Sequence, residues 1–360
     1  MAKKLYTKII GTGSYIPPKV IKNDYFLDYE FYDPSSRKPF DKSNEEIIQK
    51  FHEITNIEER RWVDDNQVNS DMAASAVQNA CESAGIDKET LDFIIFGHNF
   101  GDVRAGNTSV DTLPGLANRV KKLVDIKNPA CICHDVISGC PGWTQSMIIA
   151  DAYLRSGTFK RGVVIGSDTL SRISDPHDRD TMIFSDGAGA TIVEAVESET
   201  PIGIIAHSSR SDSNPYANLL TFGSSQNPDF EGDDFFIKMA GRKLYIYAIS
   251  HVPGVVKDSL DKAGLQLSDV KKVLIHQANE KMDEAILKGV FKLYKEKEIP
   301  AGIMPMSINK LGNSSTATVP TLLDLIVKGQ MEGQEINEGD YIVLCSVGAG
   351  MNINSIVYKW

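Results

Sequence analysis

The stretches AGIDKETLDFIIFGHN (Ala84–Asn99) and AGLQLSDVKKVLIHQA (Ala263–Ala278) align without a gap at an offset of 179 residues (263 − 84), half of the 360-residue chain. The same offset lays RGVVIGSD (Arg161–Asp168) on DYIVLCSV (Asp340–Val347). Two matches at one offset make the halves repeats of one unit: an amphipathic helix ending in Ala-Gly, a buried strand, a helix, and a second buried strand. Short β-branched runs alternating with helical periodicity predict an α/β fold with its sheets covered by helices. The division falls near EAVESETPIG (Glu194–Gly203), which gives halves of residues 1–198 and 199–360. No linker rich in Gly or Ser separates them, so the halves are expected to pack as one body. Two polar, turn-rich stretches read as inserted surface or interface loops: Glu30–Glu46 and Phe100–Thr112.

Composition narrows the function. Hydrophobic residues make up 42% and charged residues 24%, the balance of a soluble globular protein, and the formal charge is −10. An acidic chain lacks the basic surface that sequence-independent nucleic-acid binding requires. No apolar run reaches the length of a membrane span, and the opening MAKKLYTKIIGTGSYIP reads as a strand and turn rather than a signal peptide. Five scattered cysteines do not make a disulfide framework, so the expected compartment is the reducing cytoplasm.

The chemistry centres on HDVISGCPGWTQSMIIADAYLRSG (134–157). Residues 131–138 read as a buried strand, and from Thr144 the apolar positions recur at helical spacing. Proline is favoured at the first helical position, so Pro141 puts Cys140 at or just before the cap. There the free N–H groups and the positive helix end are expected to lower the thiol pKa and to hold a developing oxyanion. Position alone leaves two readings open, a nucleophile or a small buried hydrophobe. CICH (131–134) has no matching second ligand pair, so no metal site is expected; Cys81 and Cys345 read as core. His276 directly follows a buried strand, where loops carry chemistry in parallel α/β sheets. Asn313 stands in a turn leading into the helix that the repeat pairs with the one begun by Cys140. If a pseudo-twofold axis relates the halves, Cys140 and Asn313 share one pocket and His276 arrives beside them.

SGCPGW, SDPHDRDTMIFSDGAGATIVEA, HQANEKM and LGNSSTATVP, in this order and spacing, resemble the motifs of the β-ketoacyl-acyl-carrier-protein synthase III family of the thiolase fold. The resemblance runs from LYTKIIGTGSYIP to SVGAG near the C-terminus. It implies two pseudo-twofold-related halves layered as αβαβα, and a homodimer. It also implies decarboxylative condensation of an acyl thioester with malonyl-acyl carrier protein through an acyl-cysteine, with no metal or redox cofactor. Cys140 is then the acylated nucleophile, and His276 and Asn313 stabilise the enolate. Backbone N–H groups of Cys140 and Ala349 form the oxyanion hole. Arg179 and Asn279 become substrate-binding residues.

The chain departs from the family at two places. The tryptophan and arginine that clamp the coenzyme A nucleotide are missing from NEEIIQKFHEITNIEERRW, where Ile54 replaces the arginine. The primer is therefore expected on coenzyme A or on a carrier protein. Leu113, in DTLPGLAN, stands where a phenylalanine often reaches across the dimer to limit chain length, which favours a longer or branched primer and a specialised lipid pathway, such as that of dialkylresorcinols, beside fatty-acid initiation. After His276, Lys281, Lys288, Lys292 and Lys295 fall within about 60° on a helix, either a solvated face or a dock for an acidic carrier. The resemblance puts carrier-docking basic residues here, with Lys281 in place of an arginine. The alternative on the same fold is an acyltransferase that moves the acyl group to an alcohol or amine without releasing carbon dioxide.

Overall fold

Each repeat builds one sheet. The computed structural model describes residues 3–360. Its strands in chain order are β1 (Lys4–Tyr15), β2 (Lys19–Lys22), β3 (Glu59–Trp62), β4 (Phe93–His98), β5 (Ile132–Ile137), β6 (Arg161–Thr169), β7 (Asp186–Ser198), β8 (Gly203–Ser211), β9 (Leu220–Gly223), β10 (Phe236–Met239), β11 (Val270–Ile275), β12 (Tyr341–Gly348) and β13 (Asn352–Lys359). Its helices are α1 (Asn44–Thr55), α2 (Asn69–Ala84), α3 (Leu116–Leu123), α4 (Gly142–Arg155), α5 (Ser213–Tyr216), α6 (Gly241–Ala263), α7 (Glu280–Leu293), α8 (Ile308–Leu311) and α9 (Thr318–Val327).

The first sheet has the order β1-β7-β6-β4-β5 and the second β11-β12-β13-β8. In the first, β4 runs parallel to β5 and β6, while β7 is antiparallel to β6 and β1. In the second, β11 and β12 are parallel, with β13 and β8 antiparallel beyond them. The repeat-related runs RGVVIGSD and DYIVLCSV thus become β6 and β12, each between a parallel and an antiparallel neighbour. Beside β11 the second half forms no further strand; there Val273 N–H donates to the Ile303 carbonyl at 2.8 Å.

Alternation along the strands sets the layers. In β4, Phe93 and Ile95 face the middle of the molecule while Ile94 and Phe96 face outward. The middle core joins both sheets through α4 and α9: Trp143, Met147, Leu322 and Leu323 pack between Ile95 and Val164 on one side and Leu274 and Leu344 on the other. Helices α2 and α3 cover the outer face of the first sheet, and α6 and α7 that of the second. Because both faces of β4 are covered, it reads as a continuous apolar run. Each large apolar side chain buried this way contributes roughly 1.5–3 kcal/mol. Both Ala-Gly signals are helix ends: Gly85 (φ 62°) and Gly264 (φ 70°) take the left-handed conformation that closes α2 and α6.

Two expectations need correction. Beyond the buried Cys131 the segment 131–138 is not a buried strand: β5 is the sheet edge, and Ile132 and Ile137 are 36% and 69% exposed. An apolar edge strand and an apolar central strand look alike in sequence. The Glu30–Glu46 loop ends early, because Ser43 accepts from Glu46 N–H and caps α1, whose first turn takes the last residues of the stretch. The second insertion is closed by a bridge between Asp102 and Asp111.

Candidate active site

Cys140 lies between the end of β5 and α4, in a turn made by Gly139 at φ 65°. Helix α4 starts one residue later than expected, so Pro141 is its cap and Cys140 precedes the cap. The Gly348–Gly350 turn, which begins at the last residue of β12, packs backbone to backbone against this junction. A Cβ on Gly348 would fall 2.5 Å from Cys140 N, and one on Gly139 would fall 2.5 Å from Ala349 N. Only glycine permits this approach, which sets the Cys140 and Ala349 amides beside each other.

Asn313 comes from the other half but is held by the first. Its N–H donates to the Ile183 carbonyl and its carbonyl accepts from Ser185 N–H, both at 2.9 Å. Gly312 before it, at φ 59°, passes so close to Arg60 and Ser185 that a Cβ would fall 2.9 Å from the Arg60 side chain. The Asn313 side chain accepts from Ser315 N–H at 2.9 Å, fixing the turn ahead of α9.

His276 follows β11, and its N–H donates to the Cys345 carbonyl at 2.9 Å. Gln277 ties the histidine loop to the approach to Asn313: its Nε2 donates to the Pro305 carbonyl, and its Oε1 accepts from Ser307 and Ile308 N–H. The His276 ring is buried, Nδ1 has no hydrogen-bond partner, and the Ser315 backbone lies beside the ring. The Ser315 hydroxyl in turn lies 3.4 Å from Cys140 Sγ. Ser315 therefore joins all three predicted residues, and Cys140 and Asn313 line one cavity with Ala349.

The electrostatics differ from expectation at the nucleophile. Burial pushes the Cys140 thiol up to about 11, with the charge of Asp168 adding to the rise and the Ser315 hydroxyl opposing it. Desolvation outweighs the helix-start effect, and the resting thiol is neutral. Burial also lowers the His276 imidazole to about 4, with the neighbouring Ser315 backbone opposing the shift. The ring is neutral throughout the physiological range.

The shared cavity has a volume of about 340 Å³ and a largely apolar wall, including Phe100, Leu170, Phe184 and Ile237. Phe100, from the second insertion, meets Phe222 of the β9-β10 hairpin edge to face, with centroids 4.8 Å apart and planes at 88°. Met239 also borders a second cavity of about 580 Å³, whose walls carry Lys42, Lys50, Arg179, Arg242, Asn279 and Tyr245. Arg179 and Asn279 thus come together, and Ile54 lies on the same wall. The Arg179 guanidinium stacks 4.9 Å from the Phe40 ring, and Asn279 caps α7 by accepting from Met282 N–H.

Leu113 borders neither cavity; it is 87% exposed. Lys281, Lys288 and Lys292 lie exposed on α7, where Lys288 pairs with Glu284 at 3.0 Å. Lys295 does not extend that face, because the helix stops at Leu293 and Lys295 has φ 60°. Cys131 packs in the outer core, and among the described residues no group of three or more His, Cys, Asp or Glu is placed to hold a metal ion. No described helix is long and apolar enough to cross a membrane.

Asn99, Asp168 and Ser315 escaped the sequence reading. The available signal was their position: Asn99 and Asp168 stand at the ends of the parallel strands β4 and β6, where α/β sheets carry their sites.

Comparisons with known proteins give the chain's family. Residues 134–213 match the family model for 3-oxoacyl-[acyl-carrier-protein (ACP)] synthase III, and residues 260–360 match its C-terminal model. The chain is 34% identical over 358 residues to beta-ketoacyl-[acyl-carrier-protein] synthase III 1 of Vibrio vulnificus, covering 99% of this chain and 100% of that one. It is 32% identical to the synthase III of Staphylococcus haemolyticus, covering 98% of each. The crystal structure of 3-oxoacyl-[acyl-carrier-protein] synthase III from Aquifex aeolicus superposes with a TM-score of 0.77 at 29% identity, over 98% of this chain and 100% of that one. The priming β-ketosynthase of the R1128 polyketide pathway, at 22% identity, shares the fold with a TM-score of 0.78, covering 100% of this chain and 97% of that one. The layered helices and sheets are those of the thiolase fold, and near-full-length identity above 30% takes the relationship beyond the fold alone: this chain belongs to the 3-oxoacyl-[acyl-carrier-protein] synthase III family.

Proposed function

We propose that this protein condenses an acyl-thioester primer with malonyl-acyl carrier protein, with loss of carbon dioxide, through an acyl group carried on Cys140. The observation that carries the reading is the convergence of Cys140, Asn313, Ala349 and, through Ser315, His276 at one apolar cavity.

In the first half-reaction Cys140 Sγ attacks the primer carbonyl, the bond to the donor sulfur breaks, and the thiol proton ends on the departing thiol. The oxyanion forms beside the Cys140 and Ala349 amides, and such donors act strongly in a water-poor site. In the second, the bond between the malonyl carboxylate and its α-carbon breaks and the electron pair becomes an enolate. His276 and Asn313 donate hydrogen bonds to the enolate oxygen. The α-carbon then attacks the acyl carbon, and Cys140 departs as a thiolate and regains a proton. An imidazole lowered to about 4 is a hydrogen-bond donor that does not quench the enolate by proton transfer.

The finer features follow from the surroundings. The Lys50, Arg179 and Arg242 wall suits the phosphate of a pantetheine-bearing substrate, whether coenzyme A or carrier. Lys281, Lys288 and Lys292 offer an acidic carrier a docking face on the helix that follows His276. The bare edge of β5, with two exposed isoleucines, suits pairing with a second copy, which would also cover Leu113.

Intact-protein mass spectrometry tests the reading. The chain is incubated with a panel of acyl-coenzyme A and acyl-carrier thioesters, with and without malonyl carrier, beside Cys140→Ala. A mass gain that needs Cys140 and vanishes on adding malonyl carrier, with release of carbon dioxide, is expected. A stable adduct that malonyl carrier cannot discharge would sink the condensation.

A further inference from the structure

The hydrogen bonds around Cys140 have one consistent direction. Asp168 is buried at the end of β6 and accepts from Asn99 N–H at 2.8 Å, from Asn99 Nδ2 at 2.8 Å and from Thr316 Oγ1 at 2.9 Å. An ionised carboxylate only accepts, so Asn99 must turn its NH₂ group towards it. The second N–H of that group points to Ser315 Oγ at 2.6 Å. Ser315 Oγ is thereby an acceptor towards Asn99 and has one proton left to give. The Asp168 carboxylate lies near it, but the acceptor that meets hydrogen-bond geometry is Cys140 Sγ, at 3.4 Å.

The backbone supplies a second, independent observation. Ser315 sits at φ 54°, a left-handed conformation that favours glycine and strains a residue with a side chain. A residue that strains its own turn and still aims a hydroxyl at the nucleophile is there for the hydroxyl.

We propose that Ser315 is the side-chain donor that stabilises the Cys140 thiolate, and that Asn99 and Asp168 are positioning residues that aim it. The inference rests on the reading of Cys140 as the nucleophile. The thiolate arises twice in the cycle, when Sγ attacks the primer and when it departs from the condensed product, and the donor assists both. The charged and titratable groups facing the thiol are few. Asp168 disfavours the thiolate, His276 is neutral, and His98 faces Asp168 from the β4 side.

The test is the pH dependence of Cys140 alkylation by iodoacetamide in the full-length protein, followed by the mass of the Cys140 peptide. Ser315→Ala removes the donor; Ser315→Gly removes it and relieves the turn; Asn99→Leu leaves the hydroxyl unaimed. A hydrogen bond to a charged group is worth at least a factor of about ten. Both Ser315 variants should therefore alkylate about tenfold more slowly near neutral pH, with the inflection about one pH unit higher, and Asn99→Leu should fall between them and the parent. Melting curves confirm that each variant is folded; should Ala fail, Gly still decides. Parental rates and inflections in the Ser315 variants would overturn the donor role, and a parental profile for Asn99→Leu would overturn the positioning. Alkylation needs no acyl donor or carrier, so this result and the condensation assay fail independently.

Discussion

Gly348→Ala probes the contact that brings two backbone amides together. The new methyl would lie 2.5 Å from Cys140 N, 2.7 Å from the Pro141 ring and 2.9 Å from Cys140 Cβ. These are backbone or rigid atoms, so no rotamer change absorbs the clash, and the two turns must part by about half an ångström or more to reach van der Waals distance. Oxyanion donors work within a window of roughly 0.4 Å, and loss of one costs about 2.7–4 kcal/mol, or 10²–10³ in kcat. The assay follows acylation by intact mass and condensation by release of carbon dioxide. If both tetrahedral intermediates use the same two amides, as proposed, both half-reactions should slow together, with KM nearly unchanged. A folded Gly348→Ala protein that retained kcat within about threefold would show that this close approach does not build the hole. Slowing of only one half-reaction would refute the idea of a shared hole.

Other expectations follow from burial. The His276 imidazole is depressed from its ordinary 6.5 to about 4, so its contribution to stability is complete above pH 6.5 and disappears as the pH falls through 4. That interval corresponds to about 3 kcal/mol, and His276→Ala should flatten this part of the stability curve in urea titrations while abolishing decarboxylation and sparing acylation of Cys140. Asp283 is buried in α7 with both carboxyl oxygens unpartnered, and burial holds its carboxyl well above the usual range. The unfolded chain loses this proton first, so the parent weakens as the pH rises from about 4; Asp283→Ala should melt higher, by a margin larger near pH 8 than near pH 5. Phe222→Ala, which breaks the edge-to-face pair with Phe100, should shift primer preference towards longer acyl chains in the mass-spectrometric panel; an unchanged profile would exclude the pair as the end wall. Lys288→Glu with Lys292→Glu should raise KM for the malonyl carrier several-fold and leave hydrolysis of small thioesters unchanged, while an unaltered KM would remove α7 from the docking face.

The architecture was legible because the repeat fixes it: one offset identifies β6 with β12 and the Ala-Gly end of α2 with that of α6. Cys140, His276 and Asn313 were legible because each stands at a boundary between elements, where side-chain type and turn residues coincide. The exposure of β5 was not, since edge and centre are decided by which strands pair, and Ile132 and Ile137 carry no mark of either. The thiol's resting state was hidden for a related reason. Sequence places Cys140 near a helix start, but the desolvation that outweighs that start comes from residues far along the chain. Asn99, Asp168 and Ser315 form their chain only in space, across sequence separations of 69 and 216 residues.

The grip of Ile183–Ser185 on Asn313 has a consequence for how this protein is made and how it changes. A ribosome that has released only the first half has produced the cysteine and the cradle for the asparagine, but nothing to fill the cradle. The site is therefore assembled only when Asn313 arrives from the second half. The two halves also cannot change shape independently at this point: the backbone of Ile183–Ser185 and that of Asn313, 130 residues on (313 − 183), must keep one geometry to keep these bonds. The chain repeats one unit twice, and this seam commits the two copies to change together.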